Sequence, residues 1–66
     1  MPIFNVYIKT ENEILTTDTF YYNKEKHYLN YHIPHADGDK WQTLNNICCE
    51  IILDKPFILI KVLPLE

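Results

Sequence analysis

Three histidines and two aspartates lie close together near the middle of the 66-residue sequence, and they are the first candidates for chemistry. These residues are His27, His32, His35, Asp37 and Asp39. Imidazole and carboxylate groups are the usual ligands of zinc, and a structural zinc site needs four ligands. In the strand arrangement predicted below, His27 and His32 point to opposite faces of a sheet, which leaves too few ligands to meet. We therefore predict no metal site and no cofactor.

The two cysteines, Cys48 and Cys49, are neighbours in the sequence. A disulfide between adjacent residues is strained and closes no useful loop, so free thiols in a reducing compartment are expected. No CxxC motif accompanies them, and we expect Cys48 to be a small buried apolar residue. Serine is absent and Gly38 is the only glycine, which excludes serine triads and glycine-rich phosphate loops. We predict no catalytic residues and a non-enzymatic protein.

The opening residues Met1, Pro2, Ile3 and Phe4, with an apolar alternation after them, resemble the start of tautomerase-superfamily subunits. The resemblance implies that Pro2 would act as a base once Met1 is removed. Beyond about eight residues the chain departs from that family, because a polar turn stands where a long helix should follow and arginine is absent. A tautomerase-like or metal-dependent enzyme is therefore the lowest-ranked of three functional alternatives.

The elements that must position any site are indicated by the hydrophobic periodicity. Alternating patterns predict strands over 2–9, 14–22 and 27–33, connected as an antiparallel meander. Polar residues then predict a loop after Pro34, and an apolar stripe at helical spacing predicts a helix from Asp39 to residue 53. In that helix Trp41 would anchor the core, with a strand over 47–53 as the competing interpretation.

The last apolar run, 57–63, predicts a fourth strand, which we expect to pair in parallel with the first. The predicted fold is a single domain, 1–66, of the α+β class. It has two layers, formed by a three-stranded meander, one helix and one C-terminal apolar strand in the order βββαβ.

Strand register decides which side chains share a face. A turn with Lys24 and Glu25 at its tip pairs Phe20 with Leu29 and Tyr21 with Tyr28. A three-residue tip over 11–13 is preferred to a two-residue tip, because it places the apolar side of the first strand on the same face as Phe20.

That register predicts an open, aromatic sheet face. The face would present Ile3, Tyr7, Tyr21, Tyr28 and His32. Tyrosines are enriched in protein interfaces, although cross-strand aromatic pairs also stabilise solvated sheets. The leading hypothesis is a small protein-interaction module, an accessory or inhibitory factor that docks through this face. The abundance of Ile, Asn and Lys beside the absence of Arg is typical of an AT-rich genome, which fits a phage or mobile element.

A second hypothesis is single-stranded nucleic-acid binding, with tyrosines stacking on bases. A net charge of -3 and the absence of arginine disfavour it, since attraction to phosphates dominates such binding. The expected partner is therefore a protein or a second copy of the chain, with Phe57, Leu59 and Leu63 as a possible oligomer interface. No 18-residue apolar stretch is present, so we expect no membrane association and a cytoplasmic location, in the host if the protein is phage-encoded.

Overall fold

The computed structural model describes residues 5–33, 40–54 and 56–65, which are 76% strand and contain no helix. The strands are β1 (Asn5–Lys9), β2 (Ile14–Thr17), β3 (Phe20–Asn23), β4 (Tyr28–Ile33), β5 (Lys40–Asn45), β6 (Ile47–Asp54) and β7 (Phe57–Pro64). Sheet 1 has the strand order β2-β1-β7-β6, and sheet 2 has the order β3-β4-β5. The described chain is therefore an all-β domain of two sheets.

The predicted α+β class and βββαβ order are wrong, because the segment assigned to the helix forms β5 and β6. Asn46 separates these strands with a left-handed backbone, at φ 59°. Residues of β6 pair with β7 along its whole length, from Ile47 opposite Pro64 to Asp54 opposite Phe57. Isoleucine fits such a pleated, half-buried surface well. The competing interpretation of 47–53 as a strand is confirmed.

The predicted second strand is also divided. It ends at Thr17, the chain crosses to the other sheet at Asp18 and Thr19, and β3 then begins. Ile8 pairs with Leu15, and the Thr10 N–H donates to the Glu13 carbonyl at 2.9 Å. This register corresponds to a two-residue tip, so the predicted three-residue tip is wrong. The prediction treated 14–22 as one continuous strand with a single apolar side. In the structure the chain crosses between the sheets, so β2 and β3 each turn their own apolar side to the core.

The hairpin of β3 and β4 is shifted by two residues from the predicted register. Phe20 pairs with Tyr31, and Tyr21 pairs with Asn30. The Asn23 side-chain oxygen accepts hydrogen bonds from the backbone N–H groups of Glu25 and Lys26, at 3.0 and 2.9 Å. This Asx turn lengthens the loop, but a shift by an even number leaves every side chain on its predicted face.

The core lies between the two sheets. Sheet 1 contributes Val6, Ile8 and Ile60, and sheet 2 contributes Leu29 and Tyr31. β7 pairs in parallel with β1, from Phe57 opposite Asn5 to Lys61 opposite Lys9, which confirms the expected pairing of the first and last strands.

Two residues assigned to the core of the predicted helix lie elsewhere. Trp41 is 49% exposed, and it is Cys49, not Cys48, that packs against the core. Both corrections follow from the period of 2 along β5 and β6, because a strand sends alternate residues to opposite faces.

Candidate binding surface

Sheet 2 turns one side of its three strands to the core and the other side outward. In β4, Leu29 and Tyr31 are buried, whereas Tyr28, Asn30 and His32 alternate with them. The strand pairings extend this outer side to β3 and β5. We call the resulting surface the aromatic face, and it comprises Tyr21, Asn23, Tyr28, Asn30, His32, Trp41, Thr43 and Asn45.

Four rings on the aromatic face form two cross-strand pairs. Tyr21 and Tyr28 have ring centroids 6.0 Å apart, and His32 and Trp41 have centroids 5.4 Å apart. Tilted rings at these distances attract one another, so the pairs help to fix the orientation of the side chains. Tyr21 nevertheless remains 56% exposed and Trp41 49% exposed. The face therefore presents large, ordered rings to solvent.

The aromatic face is electrically nearly neutral. None of its eight described residues is Lys, Arg, Asp or Glu. The carboxylate of Asp18, at the crossing between the sheets, lies 2.8 Å from His32 Nδ1. This hydrogen bond from the His32 ring lowers the pKa of Asp18 below its ordinary value. The charged Asp18 side chain therefore lies at the rim of the aromatic face and is already hydrogen-bonded to His32.

An unsatisfied acceptor lies at the centre of the aromatic face. Asn30 pairs across the sheet with Tyr21 on one side and Thr43 on the other. Its side-chain oxygen is buried and has no hydrogen-bond partner among the described residues. Leaving such a group unpaired costs about 1–3 kcal/mol. The middle of the face therefore carries a local energetic cost at the buried Asn30 oxygen.

The structure brings together some of the predicted binding residues and separates others. Tyr21, Tyr28 and His32 share the aromatic face, as expected. Tyr7 lies on the outer side of sheet 1, where its ring meets Phe57 edge-on at 5.8 Å. Ile3 lies outside the described residues. The sequence interpretation missed Trp41, whose signal is its place opposite His32 once β5 is recognised as a strand.

The predicted oligomer interface belongs to sheet 1. Phe57, Leu59 and Leu63 alternate with the core residue Ile60, so they lie on the outer side of β7. Phe57 and Leu59 are half-buried, and only Leu63 is well exposed. Their role in association stays a prediction.

The remaining candidates for chemistry are dispersed. Burial raises the pKa of the Cys49 thiol to about 11, and both cysteines are free. The residues that the structure describes contain no cluster of three or more His, Cys, Asp or Glu side chains suited to a metal ion, and His35, Asp37 and Asp39 lie outside them. Over the same described ranges, no helix has the length and apolar character to cross a membrane.

A comparison of the chain with known protein families, curated proteins and solved structures finds no match.

Proposed function

We propose that this protein is a small, non-enzymatic interaction module that docks on a protein partner through the aromatic face. The observation that carries the proposal is the exposure of Tyr21 and Trp41 within a neutral surface built on three paired strands. Tyr and Trp dominate the energetically important centres of protein interfaces, because they bury a large area and lose little conformational entropy.

The neutrality of the face favours a protein over a nucleic acid. Binding of single strands combines base stacking with a positively charged groove along the backbone. The aromatic face supplies rings but no lysine, and the chain as a whole carries a charge of -3. Release of counterions from phosphates would therefore add little free energy.

The chemistry of the thiols supports a non-enzymatic role in the cytoplasm. A cysteine nucleophile requires a lowered pKa, whereas burial raises that of Cys49 to about 11. Two free cysteines fit a reducing compartment. We place the protein in the cytoplasm as an accessory or inhibitory factor.

The fluorescence of Trp41 provides a direct test, because Trp41 is the only tryptophan in the chain. Collisional quenching by acrylamide should fall when a protein partner from the source cell covers the face. Titration with single-stranded DNA or RNA oligomers at physiological salt should leave emission unchanged below micromolar concentration. Sub-micromolar oligonucleotide binding with a steep salt dependence would favour the nucleic-acid alternative.

A pair of variants shows whether the aromatic face is responsible. The double variant Tyr21→Ala, Trp41→Ala removes the two exposed rings, and Ile14→Ala removes an exposed apolar side chain of comparable accessibility on sheet 1. A partner bound by the natural chain should be retained by Ile14→Ala and lost by the double variant. Loss of binding by Ile14→Ala alone would place the docking surface on sheet 1 and refute the proposal.

A further inference from the structure

The edge of sheet 1 formed by β6 is exposed and apolar. β6 pairs with β7 on one side and is the last strand of the sheet on the other. Its second half carries three adjacent apolar side chains that are well exposed: Ile51 at 44%, Ile52 at 40% and Leu53 at 67%. Natural edge strands usually carry lysine, proline or a bulge that prevents pairing with another chain. None of these features interrupts residues 51–53.

Two hydrogen bonds establish which backbone groups of β6 point away from β7. The Ile47 N–H donates to the His27 carbonyl at 3.1 Å, and the Cys49 N–H donates to the Tyr22 hydroxyl at 3.1 Å. Because the register with β7 is continuous, every second residue continues this pattern. The backbone groups of Ile51 and Leu53 therefore point outward as well. Within the described residues, nothing pairs with them.

We propose that this edge pairs with the same edge of a second copy of the chain, in antiparallel orientation and with the two-fold axis at Ile52. Ile51 of each copy then lies opposite Leu53 of the other, and each such pair exchanges both N–H···O bonds. This arrangement uses every free outward group of the segment on both copies. It also joins two four-stranded sheets into one continuous sheet.

A second copy fits this edge because the free segment is symmetric. Its two outward-pointing residues flank Ile52, and both are apolar, so an inverted copy presents matching groups at every position. An axis at Ile51 fits less well, because it places Leu53 of one copy opposite Cys49 of the other. The Cys49 N–H is already bonded to Tyr22. The dimer also adds apolar burial to a domain whose described core has only five buried hydrophobic residues, three of them fully buried.

The register has a distinctive electrostatic consequence. Glu50 of each copy lies opposite Asp54 of the other, at both ends of the paired segment. Glu50 is 3.7 Å from Lys61 Nζ, which partly compensates its charge. Like charges directly opposite weaken a strand pair, so reversing one of them should tighten the dimer.

Hydrogen exchange tests the interface in the natural chain with an internal control. In a monomer the amides of Ile51 and Leu53 should exchange quickly, whereas the Ile52 amide, which points toward β7, should be protected. On raising the concentration a hundredfold, protection of Ile51 and Leu53 should rise together with the dimer fraction seen by sedimentation equilibrium. A monomer at every concentration, or a dimer in which these two amides stay unprotected, would overturn the proposal.

Two variants test the register. Asp54→Lys places opposite charges at both ends of the interface, and we expect the dissociation constant to fall about tenfold, because two contacts per dimer change sign. Glu25→Lys makes the same change in net charge in the exposed β3–β4 loop and should have no such effect. Equal effects of the two variants would show that only net charge matters and would refute the register.

A third variant removes a bond at the interface itself. Leu53→Pro deletes an outward N–H that β7 does not use, and it should weaken the dimer at least tenfold while circular dichroism still reports a β fold. If this variant fails to fold, Leu53→Asp offers the same test by adding a charge to the paired edge. A dimer that survives the folded variant unchanged would contradict the proposed pairing.

Discussion

The two corners at which the chain crosses between the sheets differ in how they are held. At the first corner, between β2 and β3, the buried Thr17 hydroxyl lies 2.6 Å from the His32 carbonyl oxygen and 3.0 Å from that of Thr19. The His32 N–H also donates to the Thr19 carbonyl at 2.9 Å. This corner is fixed by a side chain that hydrogen-bonds across the gap between the sheets.

The second corner, between β5 and β6, is held by backbone conformation. Asn46 and His27 both have left-handed φ angles, near 60°, and the Ile47 N–H donates to the His27 carbonyl. The His27 Nδ1 atom is buried and unpartnered among the described residues. Left-handed conformations cost free energy in residues that carry a Cβ atom. The comparison teaches that one corner is satisfied by a hydroxyl, whereas the other depends on left-handed backbone at two residues that carry a Cβ atom.

The largest effect should come from removing the hydroxyl at the first corner. Thr17→Val preserves the shape of the side chain but leaves polar groups at a buried site without their partner. We expect the free energy of unfolding to fall by about 1–3 kcal/mol. Urea denaturation followed by circular dichroism measures this change.

The matched control is Thr17→Ser, which keeps the hydroxyl and removes one methyl group. Its cost should stay near the value for one buried methyl group, about 0.8 kcal/mol. If Ser and Val are equally destabilising, packing rather than hydrogen bonding holds the first corner, and the contrast between the corners disappears.

A somewhat smaller effect is expected at the second corner, where the type of residue determines the strain. Asn46→Val places a β-branched residue at positive φ and should destabilise the protein by about 1–2 kcal/mol. Asn46→Gly relieves the steric cost and should be neutral or slightly stabilising, since the gain is offset by a more flexible unfolded chain. Comparable losses for both variants would show that the Asn46 side chain, not its φ angle, holds the corner.

These corners explain how much of the fold could be predicted. Hydrophobic alternation located β1 and β4, and a continuous apolar run located β7, because each is a single uninterrupted strand. It missed the crossing after Thr17, since Asp18 and Thr19 interrupt the pattern without a glycine or proline. It also missed Asn46, although Asn tolerates the left-handed conformation and the pair Asn45–Asn46 is a turn signal. A single-sequence pattern does not show where the chain changes sheets, and here it does so twice, after β2 and after β5.

The candidate surface was predicted in part for the same reason. Tyr21, Tyr28 and His32 were placed on one face, because an error of two residues in register leaves the faces unchanged. Tyr7 was assigned to that face only because 14–22 was treated as one strand, which joined the two sheets into one. Trp41 was missed because the isoleucine-rich segment after it also fits a helical stripe. Whether such a segment forms a helix or a strand depends on its partner strands, which lie far away in the sequence.

The smallest effect should be electrostatic and confined to acidic pH, again at the first corner. The hydrogen bond from the His32 ring lowers the pKa of Asp18 in the folded state. At pH values above the pKa of the unfolded state, near 3.8, the lowered pKa of folded Asp18 contributes stability. This contribution is lost as the pH falls through the pKa of the folded state.

Asp18→Asn should therefore cause a small loss of stability at pH 7 that shrinks below pH ~4. Because the Asp18 side chain is 65% exposed and screened by solvent, the loss should be smaller than that caused by Thr17→Val. Thermal unfolding of both chains between pH ~2 and ~7 measures the difference. A difference that is constant over this range would mean that the ionised carboxylate of Asp18 does not stabilise the first corner.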